Sequence, residues 1–224
     1  QLGIGNTDVI GDEPNEMGSS LTLVDLPTSR FATSITAGND FTCAVLDDSS
    51  ISCWGLGTYG RLGTGTTTSE GDESDEIGDN LNIVDLGTGL GVTSVDAGET
   101  HVCAILTNNE LKCWGYGLLG QLGLGNGDAK GDDDNEMGDD LDAVSLGTGI
   151  NPISVQAGDS FTCALMSNSQ VKCWGSGANG RTGLEKTGAT GDELNEMGNY
   201  LEYVKLFMPM EVYNLECDTE AEGV

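Results

Sequence analysis

The chain contains 224 residues, of which 37% are apolar, and this length and composition suffice for an ordered core rather than a disordered chain. Its formal charge of −29, from 8 basic and 37 acidic residues, excludes partners held by a phosphate backbone, such as nucleic acids, and disfavours anionic membrane surfaces. No run of 18 apolar residues is present, so membrane insertion is not expected.

An acidic block is the first recurring feature along the chain. It occurs four times at a spacing of 60 residues, as GDEPNEMGSSL from Gly11, GDESDEIGDNL from Gly71, GDDDNEMGDDL from Gly131 and GDELNEMGNYL from Gly191. Neighbouring carboxylates supply the hard oxygen ligands that Ca²⁺ requires, so we consider a calcium site in each block. The candidate ligands are Asp12, Glu13, Glu16, Asp72, Glu73, Glu76, Asp132, Asp133, Glu136, Asp192, Glu193 and Glu196. The alternative is a helical turn with solvated carboxylates and a buried apolar residue, namely Met17, Ile77, Met137 or Met197.

A strand–turn–strand pattern follows each of the first three acidic blocks. The sequences FTCAVL, DDSS and ISCWG, residues 41–55, predict a β-hairpin, which recurs as THVCAIL-TNNE-LKCWG and FTCALM-SNSQ-VKCWG. Further strands are predicted at 33–37 and 21–26 and at the corresponding positions of the later units. About four short strands per 60 residues are typical of a β-propeller blade.

The repeats divide the chain into a partial repeat (1–26), three repeats (27–86, 87–146 and 147–206) and a divergent C-terminal tail (207–224). The first five residues, QLGIG, match QLGLG at 121–125, so we expect the chain to begin inside a unit. Terminal units of repeat proteins are commonly atypical because they cap an exposed edge or join a neighbour.

The repeat pattern resembles that of a known family. Segments 37–63, 97–123 and 157–183 each carry AG-x4-CA, a hairpin, and CWG-x-G-x2-G-x2-G. This pattern resembles the RCC1 family, which implies an all-β fold of propeller blades. The acidic block resembles an insert seen in an extracellular, microbial variety of this repeat. The acidity and the cysteines depart from the nuclear member of the family, which argues against exchange-factor and chromatin roles.

Six of the seven cysteines form C-x9-C pairs. In a hairpin that turns at its midpoint, the two cysteines of a pair lie opposite each other at a separation close to disulfide geometry. We therefore predict the disulfides Cys43–Cys53, Cys103–Cys113 and Cys163–Cys173. Disulfides imply a secreted or cell-surface protein, whereas the alternative is buried reduced thiols. Zinc is disfavoured by the spacing and by the presence of one histidine, and Cys217 is left as a free thiol or an intermolecular partner.

Tryptophans and glycines follow each hairpin. Trp54, Trp114 and Trp174 come directly after the second cysteine, so strand alternation directs them to the opposite face of the sheet. We expect them to pack between neighbouring blades, with a row of sugar-stacking rings as the alternative. The glycines that recur from Gly55 to Gly63 are expected where adjacent backbones approach closely.

No catalytic set is evident, because one histidine, paired cysteines and carboxylates that recur in every unit do not define a single site. We expect a non-enzymatic extracellular structural or adhesive protein without a cofactor other than Ca²⁺. Since rings of the family usually have seven blades, three units leave open edges, which self-association into a ring or filament would satisfy. The other reading of the same count is a fragment of a longer propeller. The alternative functions are a propeller that binds a protein or glycan partner and, by family analogy, a guanine-nucleotide exchange factor.

Overall fold

The computed structural model describes residues 1–206, and this part is all-β. Three antiparallel sheets follow one another, and each contains the hairpin of one repeat. We call them blades. Blade 1 contains β1 (Ala32–Ala37), β2 (Phe41–Leu46) and β3 (Ile51–Gly55); blade 2 contains β4 (Val92–Ala97), β5 (His101–Leu106) and β6 (Leu111–Gly115); blade 3 contains β7 (Pro152–Ala157), β8 (Phe161–Met166), β9 (Val171–Ser176) and β10 (Ala189–Thr190). Short 3-10 turns lie at Gly18–Ser20, Thr58–Gly60, Gly78–Asn80, Gly138–Asp140 and Ala178–Gly180.

The hairpins have the register that the cysteine spacing predicts. In blade 1, Cys43 lies opposite Cys53 and Thr42 lies opposite Trp54, and the other blades repeat this pairing. A residue with left-handed backbone closes each turn: Ser49 (φ 68°), Asn109 (φ 68°) and Ser169 (φ 65°). Within the described residues no helix is long and apolar enough to cross a bilayer.

The strand predicted at residues 21–26 is wrong, as are its counterparts in the later units. These segments form no strand and are not paired in a sheet. In the segment 81–86, Val84 and Leu86 are instead buried in the cluster between blades 1 and 2. Leu81 is buried against Ala44 and Trp54 of blade 1, whereas Leu21 and Leu23 of the first segment are exposed. The fourth position of the sheet is occupied by β10 in blade 3 and by single bridges, Gly55 to Glu70 and Gly115 to Lys130, in the other blades.

The hydrophobic core lies between the blades rather than within them. Each sheet has a disulfide face, on which the cystine lies, and a tryptophan face, on the opposite side. One apolar cluster joins Cys43 and Val45 of blade 1 to Trp114 of blade 2. A second joins Cys103 and Ile105 of blade 2 to the following blade, through Trp174 and Val155. The disulfide faces of blades 1 and 2 therefore pack on the tryptophan faces of blades 2 and 3.

Candidate functional site

The three predicted disulfides are present, with Cα atoms 4.0, 4.1 and 4.0 Å apart in blades 1, 2 and 3. The two in blades 1 and 2 are fully buried in the cores between blades. Cys163 is half-buried, because among residues 1–206 no further blade follows the disulfide face of blade 3. The alternative of reduced thiols is therefore wrong for these six cysteines, and Cys217 lies outside the described residues.

The tryptophans join successive blades. The indole N–H groups of Trp54, Trp114 and Trp174 donate to the carbonyl oxygens of Gln1, Arg61 and Gln121, at 3.1, 3.2 and 3.1 Å. Because all three side chains are buried, a row of sugar-stacking rings is excluded. The recurring glycines make this contact possible: a Cβ on Gly63, whose φ is +69°, would lie 2.9 Å from the Trp114 nitrogen.

The two outermost blade faces expose residues whose counterparts are buried inside. Ile35, on the tryptophan face of blade 1, is 68% exposed, whereas its counterpart Val155 is 1% exposed. Leu165, on the disulfide face of blade 3, is 39% exposed, whereas its counterpart Ile105 is 3% exposed. Met17 is likewise exposed, so the expectation that it is buried is wrong, although Met197 is buried. Within the described residues, both end faces lack a neighbouring blade.

The acidic blocks form loops that their own glutamates close. The Oε2 atom of Glu76 accepts the backbone N–H groups of Gly71, Asp72 and Glu73 at 2.9, 3.2 and 3.1 Å. Similar bonds lower the pKa of Glu16, through the backbone N–H groups of Glu13 and Gly11. Glu136 and Glu196 make equivalent contacts with their own loops. These four glutamates are thus engaged by the backbone.

The remaining carboxylates of these loops do not converge. In the part of the chain that the structure describes, no three acidic, histidine or cysteine side chains form a group suited to a metal ion. Calcium binding stays a prediction for Asp12, Glu13 and their counterparts.

Two recurring polar contacts are not evident from the sequence. Asp79 accepts both the N–H and the hydroxyl of Thr28, at 2.6 and 2.7 Å, and these bonds lower its pKa. Asp139 holds Thr88 in the same way. The recurring lysine before the second cysteine is buried: the ammonium of Lys112 donates to the carbonyl oxygens of Leu86 and Gly138 at 3.1 and 2.8 Å. The sequence does contain an indication of this buried lysine, because the repeats 87–146 and 147–206 share the letters KCW at this position.

One end of the blades carries a cluster of polar and aromatic side chains. The loops between the first and second strands of the blades touch, since the N–H of Asn39 donates to Glu99 O at 3.1 Å and that of Glu99 donates to Gly158 O at 3.3 Å. The loop after β6 joins them, through the N–H of Tyr116 and the carbonyl of Thr100 at 3.0 Å. We call this the central-loop surface and define it as Asp40, Tyr59, Glu99, Tyr116 and Asp159.

An arginine supports the central-loop surface from below. The buried guanidinium of Arg61 donates to Asn39 O at 3.0 Å and to Thr58 O at 2.9 Å. Its central carbon lies 5.7 Å from the ring centroids of both Phe41 and Tyr59. Burial lowers the pKa of Arg61, and the charges of Asp40, Tyr59 and Glu99 oppose that shift.

Comparison with known proteins gives matches along most of the chain. The family model of the regulator of chromosome condensation (RCC1) repeat matches residues 32–61, 92–121 and 153–181. The human E3 ubiquitin-protein ligase HERC2 is 31% identical over 151 residues, which are 66% of this chain and 3% of that protein. The ultraviolet-B receptor UVR8 of Arabidopsis thaliana is 29% identical over 174 residues, 73% of this chain and 36% of the receptor.

Solved structures agree in fold. Human WBSCR16 superposes with a TM-score of 0.62 at 17% identity, covering 85% of this chain and 44% of that one. Yeast RCC1 (Prp20), in its complex with Kap60, gives 0.55 at 21% identity and covers 78% and 37%. The chain thus spans less than half of each of these relatives, and the structural likeness shows the propeller-blade fold alone.

Proposed function

Because the chain is built from repeats of the RCC1 family, we propose that it is a non-enzymatic extracellular structural protein that binds other proteins blade to blade. Two solved structures of one relative, yeast Prp20, support a binding role: one is described as its complex with Kap60, and the other in terms of its binding to Gsp1p and histones. Relatives named as a ligase and a kinase are matched over 3% and 16% of their lengths. Their activities are therefore not carried over to this chain.

The observation that carries the proposal is the pair of partly exposed end faces, on which Ile35 and Leu165 lie, although the N-terminal residues already cover Trp54 on the face of blade 1. The disulfide face of blade 3 and the tryptophan face of blade 1 have the same residue pattern as the faces that meet inside the chain. A second copy that docked blade 1 onto blade 3 would bury Ile35 and Leu165, whose internal counterparts are buried. Full burial of one such side chain stabilises by roughly 1.5–3 kcal/mol. Repeated head to tail, this contact gives a ring or a filament.

The disulfides support an extracellular setting. Cystines persist in oxidising compartments and are rare in the cytosol, where an exchange factor acting by family analogy would be found. A disulfide in each of the three described blades suits a protein that remains folded outside the cell. The alternative, a propeller that recognises a protein or glycan ligand, is supported by the aromatic pair of the central-loop surface.

The mass of the unreduced chain in solution tests the proposal. We expect multi-angle light scattering to show concentration-dependent oligomers and electron microscopy to show rings or filaments. Ile35→Asp and Leu165→Asp should each shift the mass toward the monomer, because each buries a charge at the new contact. Leu194→Asp is the matched control, since Leu194 is 82% exposed in an acidic loop, and it should leave the mass unchanged. A monomer at all concentrations would contradict the proposal.

Residues 207–224 are the other candidate for covering the end faces, and the experiment must distinguish them from a second copy of the chain. A chain truncated after residue 206 should still assemble if a second copy covers the end faces. Loss of assembly on truncation, with the Ile35 and Leu165 variants assembling normally, would assign the contact to residues 207–224 instead.

A further inference from the structure

The central-loop surface departs from the repeat at positions that the fold does not need. Tyr59 is 48% exposed, and its ring centroid lies 4.7 Å from that of Tyr116 in the next blade. The corresponding residues of blade 3 are Asn179 and Ser176. Asn179 has the same left-handed backbone as Tyr59, with φ of 58° against 63°. The turn therefore forms without an aromatic residue, so its backbone does not require the tyrosine at position 59.

The charges of this surface are also unequal among the blades. In blades 1 and 3 an arginine reaches the central loops: Arg61 donates to Asn39 O, and Arg181 donates to the Asp159 carboxylate at 2.9 Å. Blade 2 has Gln121 at this position, and its Oε1 accepts the N–H of Leu119. Among residues 1–206, Glu99 forms no ion pair with a basic side chain. The surface thus lacks a cation in its middle blade.

The unpaired carboxylate faces another carboxylate. A hydrogen bond with Asp159, together with the charge of that group, raises the pKa of Glu99. Asp40 lies on the same surface, and it too makes no ion pair within the described part of the chain. A positive group placed between Glu99 and Asp159 would relieve this repulsion.

We propose that the central-loop surface binds a lysine- or arginine-bearing segment of a partner protein, with the cationic group at Glu99 and Asp159 and its aliphatic stem against Tyr59 and Tyr116. The chain already contains such an arrangement, because Arg61 lies between two aromatic rings. The formal charge of −29 favours the encounter with a basic partner. This inference does not depend on docking between blades, since Tyr59, Glu99 and Tyr116 belong to loops and not to the sheet faces.

Nuclear magnetic resonance of the ¹⁵N-labelled, unreduced chain tests the inference. The probe is the peptide Gly-Arg-Gly-Lys-Gly, compared with Gly-Glu-Gly-Asp-Gly at physiological salt. We expect the basic peptide to shift the amides of Tyr59, Glu99 and Tyr116 and the acidic peptide to shift none. Shifts confined to the acidic loops, or no shifts at all, would overturn the inference. So would a neutral oligosaccharide, cellohexaose, that shifts these amides when the basic peptide does not.

Variants separate the surface from general charge attraction. Tyr59→Asn with Tyr116→Ser introduces the residues of blade 3, and we expect it to weaken the peptide at least fivefold. Glu99→Gln should weaken it to a similar extent. Glu13→Gln removes the same charge from an exposed acidic loop and should change the affinity less than twofold. If Glu13→Gln and Glu99→Gln weaken binding equally, the inference is wrong. Should the double variant unfold, the Glu99→Gln comparison still decides the question.

Discussion

The indole nitrogen of Trp174 donates to the carbonyl oxygen of Gln121, which belongs to the preceding blade, at 3.1 Å. The same oxygen accepts the hydroxyl of Thr162 at 2.9 Å. This pair of bonds fixes the loop after one sheet against the face of the next, and Gly123 lies beneath the indole ring. The position of one blade against the next therefore depends on the carbonyl oxygen of residue 121, which any residue type would supply, and on Gly123, which few residue types could replace.

Gly123→Ala should destabilise the chain by more than backbone strain alone. Its φ is +68°, and the added Cβ would lie 2.8 Å from both the Trp174 nitrogen and the Met197 methyl group. Gly149→Ala is the matched control, because φ is +79° there and nothing lies within 4 Å of the added Cβ. Left-handed strain costs about 1–2 kcal/mol at both sites. Urea unfolding should show a loss for Gly123→Ala at least about 1 kcal/mol larger, and equal losses would contradict the packing role.

Cys163–Cys173 should be the first disulfide to react with an external thiol. Cys163 is half-buried on the open face of blade 3, whereas Cys43, Cys53, Cys103 and Cys113 are fully buried. Attack by a thiolate requires access to a sulfur atom, so exposure orders the rates. Brief treatment with dithiothreitol, alkylation and peptide mass spectrometry would measure the order. Equal labelling of the three pairs is not compatible with an open face.

Acid should destabilise the chain through His101. Complete burial lowers the pKa of this side chain to about 4, and its Nδ1 atom has no partner among the described residues. The unfolded chain, with an ordinary histidine pKa near 6.5, binds the proton first, so stability is lost as the pH falls from about 6.5 to about 4. The loss from this group amounts to at most about 3 kcal/mol.

His101→Phe isolates that contribution, because the corresponding residues Phe41 and Phe161 are phenylalanines. Thr162 keeps a partner in the variant, since its hydroxyl donates to Gln121 O. The difference in unfolding free energy between pH 7 and pH 4.5 should shrink in the variant, while the many carboxylates contribute equally to both proteins. An unchanged difference would remove His101 from the acid response.

Calcium should raise the melting temperature of the chain if the acidic loops bind it. The carboxylates of half-buried Asp132 and exposed Asp133 repel each other, and a bound cation would remove that repulsion. Calorimetry in millimolar CaCl₂ and in a chelator measures the shift, with Mg²⁺ as the control because it demands stricter octahedral geometry. Asp132→Asn with Asp133→Asn should reduce the shift. Identical melting temperatures in both buffers would eliminate the ion.

Much of the fold could be predicted because the same sequence pattern of two strands, two cysteines and a tryptophan occurs three times. The hairpins, the disulfides and the orientation of the tryptophans follow from strand alternation and from the C-x9-C spacing. The strand at 21–26 was wrong for a physical reason: the apolar residues of such segments pack as a loop against a sheet, as Leu81, Val84 and Leu86 do in the next repeat, and pairing within a sheet produces a similar pattern.

Contacts between blades could not be read from the sequence. Tyr59 meets Tyr116 because one blade packs on the next, and Asp79 meets Thr28 because the two ends of the repeat 27–86 lie together. From the sequence alone, Lys112 and His101 resemble surface residues. In the structure both are buried, and their partners are carbonyl and hydroxyl groups, which leave no recognisable pattern in a sequence. The sequence shows that Gln121, Tyr59 and Tyr116 differ from their counterparts in the other repeats, but it does not show that they lie close together.

The location of the core also bears on how such a chain changes length. The two junctions between the three sheets use the same pair of complementary surfaces. An extra unit, inserted in frame, would find on both sides the neighbours it requires, and a deleted unit would leave two neighbours that already fit each other. Adding or removing whole repeats therefore requires no newly evolved contact between blades. The loss of part of a repeat would leave one blade face without a complementary face.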